Sequence, residues 1–455
     1  MNGRMDAETL AVYCGGYWVN KPDNSISGIE TDTRKELENR LFVALKGERF
    51  DAHDFLGDAF KKGAYLCVNK SRLGDVPAGA CALVVDDTLN AYQMIASGHR
   101  KSLADLQLIG VTGSVGKTSV KEMLKAIMCE HAGAEHVVST AGNTNNHIGV
   151  PQNLLRLTSE TRCAVIEMGT SSFGEIALLS RLAEPDVALV NSIAPCHLEN
   201  LRDLEGVATE KGDIYKFLKA GGTAVLPGDI AESGILKNSA GSHKIITFGE
   251  SGTHADVTSK FISGDLKSST FELTVNHESF IISWQLTGAH QSRNASAAAA
   301  AALAAGVPAE TIACGLQNTA LPGMRGKILS FNGADIFNDA YNASPASMAA
   351  VLKMFAESTK GKQITLLLGT MLELGENSRS EHRRILELAR ELMPEAAIIT
   401  VGSGFESLDG ADIHFFRSSE AAETVREKCV PDSVMLVKGS RRTALEKALP
   451  QEVQL

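Results

Sequence analysis

The 455-residue sequence holds no apolar run long enough to span a bilayer; its longest small-apolar stretch, Ala297 to Ala305, is short and alanine-rich. The opening stretch MNGRMDAETLAVY has no basic segment followed by an apolar core, so a secretory leader is not expected and the protein is expected in the cytoplasm. Eight cysteines (Cys14, Cys67, Cys81, Cys129, Cys163, Cys196, Cys314, Cys429) show no CxxC spacing. Reduced, mostly buried thiols fit that scatter better than a disulfide framework or a zinc site. There is no surplus of basic residues: the net charge is −10 and the isoelectric point lies near 5.7. A general nucleic-acid surface is thereby disfavoured, and any polyanionic ligand must be met by local charges and helix ends. At 44% hydrophobic content the chain can bury a core in each of two to four domains.

What the sequence does contain is a phosphate cradle. The apolar run Leu106 to Ile109 leads into GVTGSVGKTS (Gly110 to Ser119), and a helical pattern follows from Val120. In a strand, glycine loop and helix, backbone N–H groups converge on an anion. Lys117 adds a point charge for β/γ phosphates, and the Thr118 hydroxyl is placed to hold Mg2+. The usual spacing would put glycine at Val111; here the glycines are Gly110, Gly113 and Gly116, a variant of the loop. No guanine-reading NKxD segment accompanies it.

The expected fold class is α/β with three domains. Residues 1–105 carry short β-like runs (Leu41 to Leu45, Tyr65 to Val68, Cys81 to Val84), with an amphipathic stretch at His53 to Lys62, and form a small N-terminal α/β domain. Residues 106–321 alternate strand and helix, which implies a mostly parallel sheet with ligands at the carboxyl ends of its strands. Asp256 to Leu286 alternates apolar and polar residues and reads as an antiparallel appendage. Residues 322–455, beyond Leu321-Pro322-Gly323, restart the alternation as a C-terminal Rossmann-like α/β domain.

Several residues fall where that sheet would meet a nucleotide. Glu167 closes the run Cys163 to Ile166, where a carboxylate can hold Mg2+ opposite Lys117. His197 follows the run Val187 to Val190, either as a structural histidine or as a site residue. Lys211 lies on a helix, where a lysine ordinarily faces solvent. Cys196 beside His197 reads as a small strand-end residue. His290 and Asn294, one turn apart, either pack the alanine-rich helix or face a base. Arg325 sits at the second junction, within reach of a ligand held by the neighbouring domain. Asn342 and Ser344 before Pro345 read as helix caps. The polar and basic residues of the LGTMLELG and VKGSR segments could receive a carboxylate. Thr33, Arg34 and Lys46, taken alone, are solvated groups near a sheet.

Together, TGSVGKTS, GNTNNHIGVP, EMG, APCHLE, EKG, HQSRNASAA, PGMRG, DAYNASPAS, LGTMLELGE and VKGSR resemble the Mur ligases over nearly the whole chain. The TDTRK and FVALKGERFDAHDF segments, DAYNASPAS and LELGE are similar to the members that add D-alanyl-D-alanine to UDP-N-acetylmuramoyl-tripeptide, and the DNPR signature of the diaminopimelate-adding members is absent. Ala52 and Cys196 depart from the pattern without removing a functional group. The resemblance implies an ATP-dependent, ADP-forming amide ligase of peptidoglycan precursor synthesis, acting through an acyl phosphate and a tetrahedral intermediate. It implies ATP held by Gly113, Ser114, Gly116, Lys117, Thr118, Ser119, Asn294, Arg325, Asp339 and Asn342, and two Mg2+, one at Thr118 and Glu167, one at His197 and Lys211. Lys117, His197 and Lys211 are the implied catalytic residues.

By the same resemblance, Lys211 carries a carbamate, set against a neutral lysine or one paired with Glu210 or Asp213. Asn145, Asn146 and Ser172 would lie near the nucleotide and tripeptide; Thr33, Arg34 and Lys46 would take the uridine diphosphate end. A monomer with small-molecule substrates, no nucleic acid and no stable membrane insertion is expected. Residue three of the acceptor peptide is either lysine or diaminopimelate. Outside this branch, another Mur-type or a folylpolyglutamate-like ligase shares many of these motifs. From other classes, a phosphate-loop kinase or GTPase and a nucleotide-gated binding protein share only the glycine loop.

Overall fold

The computed structural model describes residues 5–453; Met1 to Arg4, which open the stretch read for a leader, and the last two residues lie outside it. The strands form three sheets. The first contains β1 (Tyr17–Val19), β2 (Ile29–Glu30), β3 (Leu41–Val43), β4 (Tyr65–Asn69) and β5 (Ala82–Val85) in the order β1-β5-β4-β3-β2, parallel except for β1. The helix Thr88–Ser102 leaves this sheet and ties it to the next. Gln93 donates to the His147 carbonyl at 3.0 Å, and buried Arg100 donates to the Ala183 carbonyl at 3.0 Å and reaches Asp186 at 3.2 Å.

The second sheet comprises β6 (Gln107–Thr112), β7 (Val137–Ser139), β8 (Cys163–Glu167), β9 (Val187–Val190), β10 (Thr223–Pro227), β11 (Lys244–Glu250), β12 (Val257–Gly264), β13 (Ser269–Val275) and β14 (Glu278–Trp284). Its order is β14-β13-β12-β11-β10-β9-β6-β8-β7. The central strands are buried without alternation, as a parallel sheet covered on both faces requires. The helices Lys117–Ala132, Ala289–Ala304 and Ala309–Gln317 pack on one face, and Gly149–Leu154, Glu175–Ala183 and Ser233–Ala240 on the other. Alanines 295 and 297–302 are all buried in the first layer, which explains that helix's composition as close packing.

The antiparallel appendage expected over Asp256 to Leu286 is present: β13 pairs antiparallel with both β12 and β14. β12 pairs parallel with β11, from Phe248 opposite Val257 onward, so the meander β12–β14 extends the central sheet itself. Inward-facing Phe271, Leu273, Val275, Ile282 and Trp284 join the same core as the phosphate-loop helix. The third sheet contains β15 (Lys327–Phe331), β16 (Ala334–Asn338), β17 (Gln363–Gly369), β18 (Ala397–Val401), β19 (Ile413–Phe415) and β20 (Ser433–Lys438), ordered β15-β16-β20-β17-β18-β19 and parallel apart from β15. Ser344 caps the helix Pro345–Ser358 with a reciprocal Ser347 contact, the capping role its sequence suggests. No helix among the described residues is long and apolar enough to cross a membrane.

Candidate active site

Strand order locates the site. β6 lies between β8 and β9, and the chain visits the β8 side before crossing to β9, so a crevice opens beyond the carboxyl end of β6. The loop Gly113 to Gly116 occupies it. Gly113 and Gly116 have φ of 153° and 83°. A Cβ on Gly116 would stand 2.6 Å from both the Asn191 amide nitrogen and the Asn294 side-chain oxygen. The loop is further laced to the segment after β9: the Ser114 hydroxyl donates to the Ala194 carbonyl at 2.9 Å, and the Val115 N–H donates to the Ser192 hydroxyl at 2.9 Å. Gly116→Ala therefore meets a left-handed φ and two polar side chains together. Nucleotide affinity, read by calorimetry, is expected to fall at least about tenfold, from strain of about 1–3 kcal/mol.

Lys117, the first residue of its helix, donates to the Gly113 carbonyl at 2.7 Å, so its ammonium curls over the loop. Thr118 and Ser119 are buried behind it. The Thr118 hydroxyl lies 3.0 Å from Glu167 Oε2, at the end of β8, and Asn145 donates its amide to Glu167 Oε1 at 2.8 Å. A buried hydroxyl and carboxylate side by side are hard oxygen donors that suit Mg2+. Arg325 reaches the same hydroxyl at 3.1 Å, with its guanidinium 3.8 Å above the Tyr341 ring. A residue beyond the second junction thus touches the phosphate-loop helix directly.

His197 does not close a strand, as its position after Val187 to Val190 suggests. β9 ends at Val190, and His197 starts the short helix Leu198–Leu201 with φ of 51°. Its Nδ1 lies 3.0 Å from a carboxylate oxygen of Glu373. Lys211 is 1% exposed on the helix Leu204–Gly212, contrary to the solvent-facing lysine that its helical setting suggests. Neither expected carboxylate partner pairs with it: Asp213 binds Lys216 at 2.8 Å, and Glu210 accepts from the Gly174 and Ile176 N–H groups at 2.6 and 2.8 Å. Burial, then the charge of Lys117, pushes the Lys211 ammonium down to about 8. Burial raises the Glu210 carboxyl. Glu210 also accepts from Thr170 at 2.9 Å, and so fixes the loop that carries Ser172.

On the opposite wall, Asp339 follows β16 and pairs with Lys438 at 2.5 Å, while Lys438 also donates to the Asn342 carbonyl at 3.1 Å. Lys438 is 2% exposed and committed to these partners, so the suggestion that it receives a substrate carboxylate is withdrawn. His290, Leu321, Phe337 and Asp339 line a small cavity between the alanine-rich helix and the third sheet. Burial pushes the His290 imidazolium down to about 4, so at neutral pH the ring is uncharged. Asn294 accepts from Asn191 at 3.2 Å beside Gly116, and the side chain of Asn342 is exposed. Asn146 accepts from the Ile148 and Gly149 N–H groups and shapes the turn next to Asn145.

Thr33 and Arg34 lie in the turn between β2 and β3, and Lys46 lies just beyond β3, all beside the first sheet. The Thr33 carbonyl accepts from Lys62 at 2.7 Å, Arg34 pairs with Asp32 at 2.7 Å, and Lys46 is exposed. No hydrogen bond or ion pair joins them to the phosphate-loop cluster among the described residues. Sequence reasoning assigned no role to Tyr341, Asn191 or Glu373, although DAYNASPAS and LELGE contain two of them; only the fold sets them against Arg325, Asn294 and His197.

Known proteins resemble this chain in sequence and in fold. A Mur ligase middle domain matches residues 111–302, and a Mur ligase glutamate ligase domain matches residues 324–441. The UDP-N-acetylmuramoyl-tripeptide:D-alanyl-D-alanine ligase of Bacillus subtilis is 36% identical over 443 residues, 94% of this chain and 93% of that protein. A crystal structure of MurF from Acinetobacter baumannii superposes with a TM-score of 0.88 at 32% identity, covering 98% of each chain. MurF ligase from Thermotoga maritima, in complex with ADP, shares the fold with a TM-score of 0.80 at 24% identity over 92% of this chain and 96% of that one. With identity above 30% over nearly its full length, the chain belongs to the Mur ligase family.

Proposed function

We propose that this chain joins D-alanyl-D-alanine to UDP-N-acetylmuramoyl-tripeptide with conversion of ATP to ADP and phosphate, a step of peptidoglycan precursor synthesis. The observation that carries this reading is the convergence of Lys117, Thr118, Glu167 and Arg325 on one crevice, in a chain whose similar proteins bear that activity in their names. A carboxylate cannot be attacked by an amine while its leaving group is oxide. The tripeptide's terminal carboxylate oxygen therefore takes the γ-phosphoryl group, ADP departs, and the dipeptide amine attacks the acyl phosphate. The tetrahedral intermediate then expels phosphate, and the amine loses its proton.

Bringing a carboxylate to a triphosphate sets like charges together, and Mur ligases use Mg2+ to neutralise them. Thr118 and Glu167 would hold one cation; His197 and a carbamylated Lys211 would hold a second. Around them Lys117 supplies a positive charge to the transferred group, and Arg325, stacked on Tyr341, brings a second across the domain junction. Gly113, Ser114, Gly116 and Ser119 shape the loop around the phosphates. Asn294, Asp339 and Asn342 would bind the rest of the nucleotide, with Asp339 toward the ribose. Asn145, Asn146 and Ser172 would face the tripeptide, and Thr33, Arg34 and Lys46 the uridine diphosphate. A monomer is part of this reading; ATP and a uridine-linked substrate support the cytoplasm.

Mass spectrometry of the product tests the assignment. Phosphate release should require both the dipeptide and the uridine-linked acceptor, and the product should gain the mass of D-alanyl-D-alanine less water. Gain of a single amino acid, with the dipeptide inert, would transfer the chain to another Mur-type or folylpolyglutamate-like activity.

A further inference from the structure

His197 and Glu373 meet across the boundary between the second and third sheets, with Nδ1 and Oε2 3.0 Å apart. Both residues hold left-handed backbone conformations, with φ of 51° and 66°. Such a conformation is unfavourable for either residue, and the strain exceeds what an exposed ion pair returns. The Glu373 side chain is 69% exposed, so the contact is not explained by stability. The loop carrying Glu373 is nevertheless held firmly: the Met371 N–H donates to His382 Nε2 at 2.8 Å and the Leu372 N–H to the Ser440 hydroxyl at 3.1 Å. A Cβ on Gly375 would make ordinary contact with Glu199, on the helix that His197 starts.

A carboxylate only accepts, so beside Glu373 the imidazole proton belongs on Nδ1. The other ring nitrogen, Nε2, makes no hydrogen bond among the described residues, and a neutral imidazole with one free nitrogen is a ligand. Histidines that hold metals commonly give their second nitrogen to a carboxylate, which fixes ring and tautomer.

We propose that Glu373 is a positioning residue: supplied by the C-terminal sheet's loop, it orients His197 so that Nε2 is presented to a divalent cation, and cation binding at His197 thereby depends on docking of that loop. The inference rests on the two-cation reading above. Free Mn2+ measured by electron paramagnetic resonance, with a non-hydrolysable ATP analogue and the uridine-linked acceptor present, reads binding without turnover. The wild-type protein should take up two Mn2+. In Glu373→Ala the second should bind about 10–100-fold more weakly while the first, at Thr118 and Glu167, is unchanged. Glu373→Gln keeps an oxygen acceptor for Nδ1–H and should recover much of the loss. A change under fivefold for the second ion in Glu373→Ala overturns the inference alone. A wild-type protein that binds a single Mn2+ removes the two-cation reading and the inference with it. Equal weakening of both ions assigns Glu373 to the general architecture and also overturns the proposal.

Discussion

Lys117→Met is expected to lower kcat between about 10²- and 10⁴-fold while leaving the KM for the uridine-linked acceptor near its wild-type value. The range follows from what a single preorganised cation contributes to a charged transition state. In this structure the ammonium curls onto the Gly113 carbonyl at 2.7 Å, so the replacement removes one partly buried hydrogen bond, a loss of about 1 kcal/mol that leaves the fold intact. Lys117→Arg should not restore the rate, because a planar guanidinium is wider than the space a curled ammonium occupies against Gly113 and Ser114. Steady-state phosphate release separates kcat from KM, and circular dichroism controls for folding. A kcat within tenfold of wild type would remove Lys117 from the transferred phosphoryl group.

The phosphate loop was legible because its chemistry is local: strand, glycines and lysine are contiguous, and β6, Gly113, Gly116 and the helix Lys117–Ala132 stand where the pattern puts them. Glu167 was legible as a strand end for the same reason. The meander was legible as antiparallel strands because alternation reports one covered face, but alternation says nothing of which strand the meander joins. The parallel pairing of β12 with its neighbour β11 attaches the meander to the edge of the central sheet, and strand direction is not readable from alternation. Lys438 was misread because its partner Asp339 lies far away in the chain, joined only by β16 beside β20. Glu373 carried no signal, since a glutamate in a glycine-containing loop reads as solvated until the third sheet sets it against His197. Positions set by one strand and one turn could be read, and Arg325 could be read because it stands at the junction itself; Glu373 and Lys438 could not, because their partners are set by distant strands.

Lys211 gives the most demanding test, because its replacement should move activity and stability in opposite directions. Burial, reinforced by Lys117, pushes its ammonium down to about 8, against about 10.4 in an unfolded chain. Between those values the unfolded chain binds more protons than the folded one, so stability rises with pH from about 8 to about 10.4, and the full penalty is present below pH 8. That penalty is about 3 kcal/mol, and Lys211→Met, a replacement of similar volume without charge, should relieve much of it at pH 7. Lys211→Met should therefore unfold at a higher denaturant concentration than wild type at pH 7, with the advantage shrinking as pH rises toward 10. Rate should move the other way: Lys211→Met and Lys211→Ala should each lose on the order of 10³-fold, the scale for removing an electrostatic group that acts on the transition state. If the working form is a carbamate, it forms from the neutral amine, about one molecule in ten at pH 7. Wild-type activity should then fall when carbon dioxide is purged and return with bicarbonate. Acetate should partly rescue Lys211→Ala, whose shortened side chain leaves room for a small carboxylate, and should do little for Lys211→Met. Full activity of Lys211→Ala without acid would end the catalytic assignment; loss of activity with neither acetate rescue nor bicarbonate dependence would leave the lysine catalytic and end the carbamate.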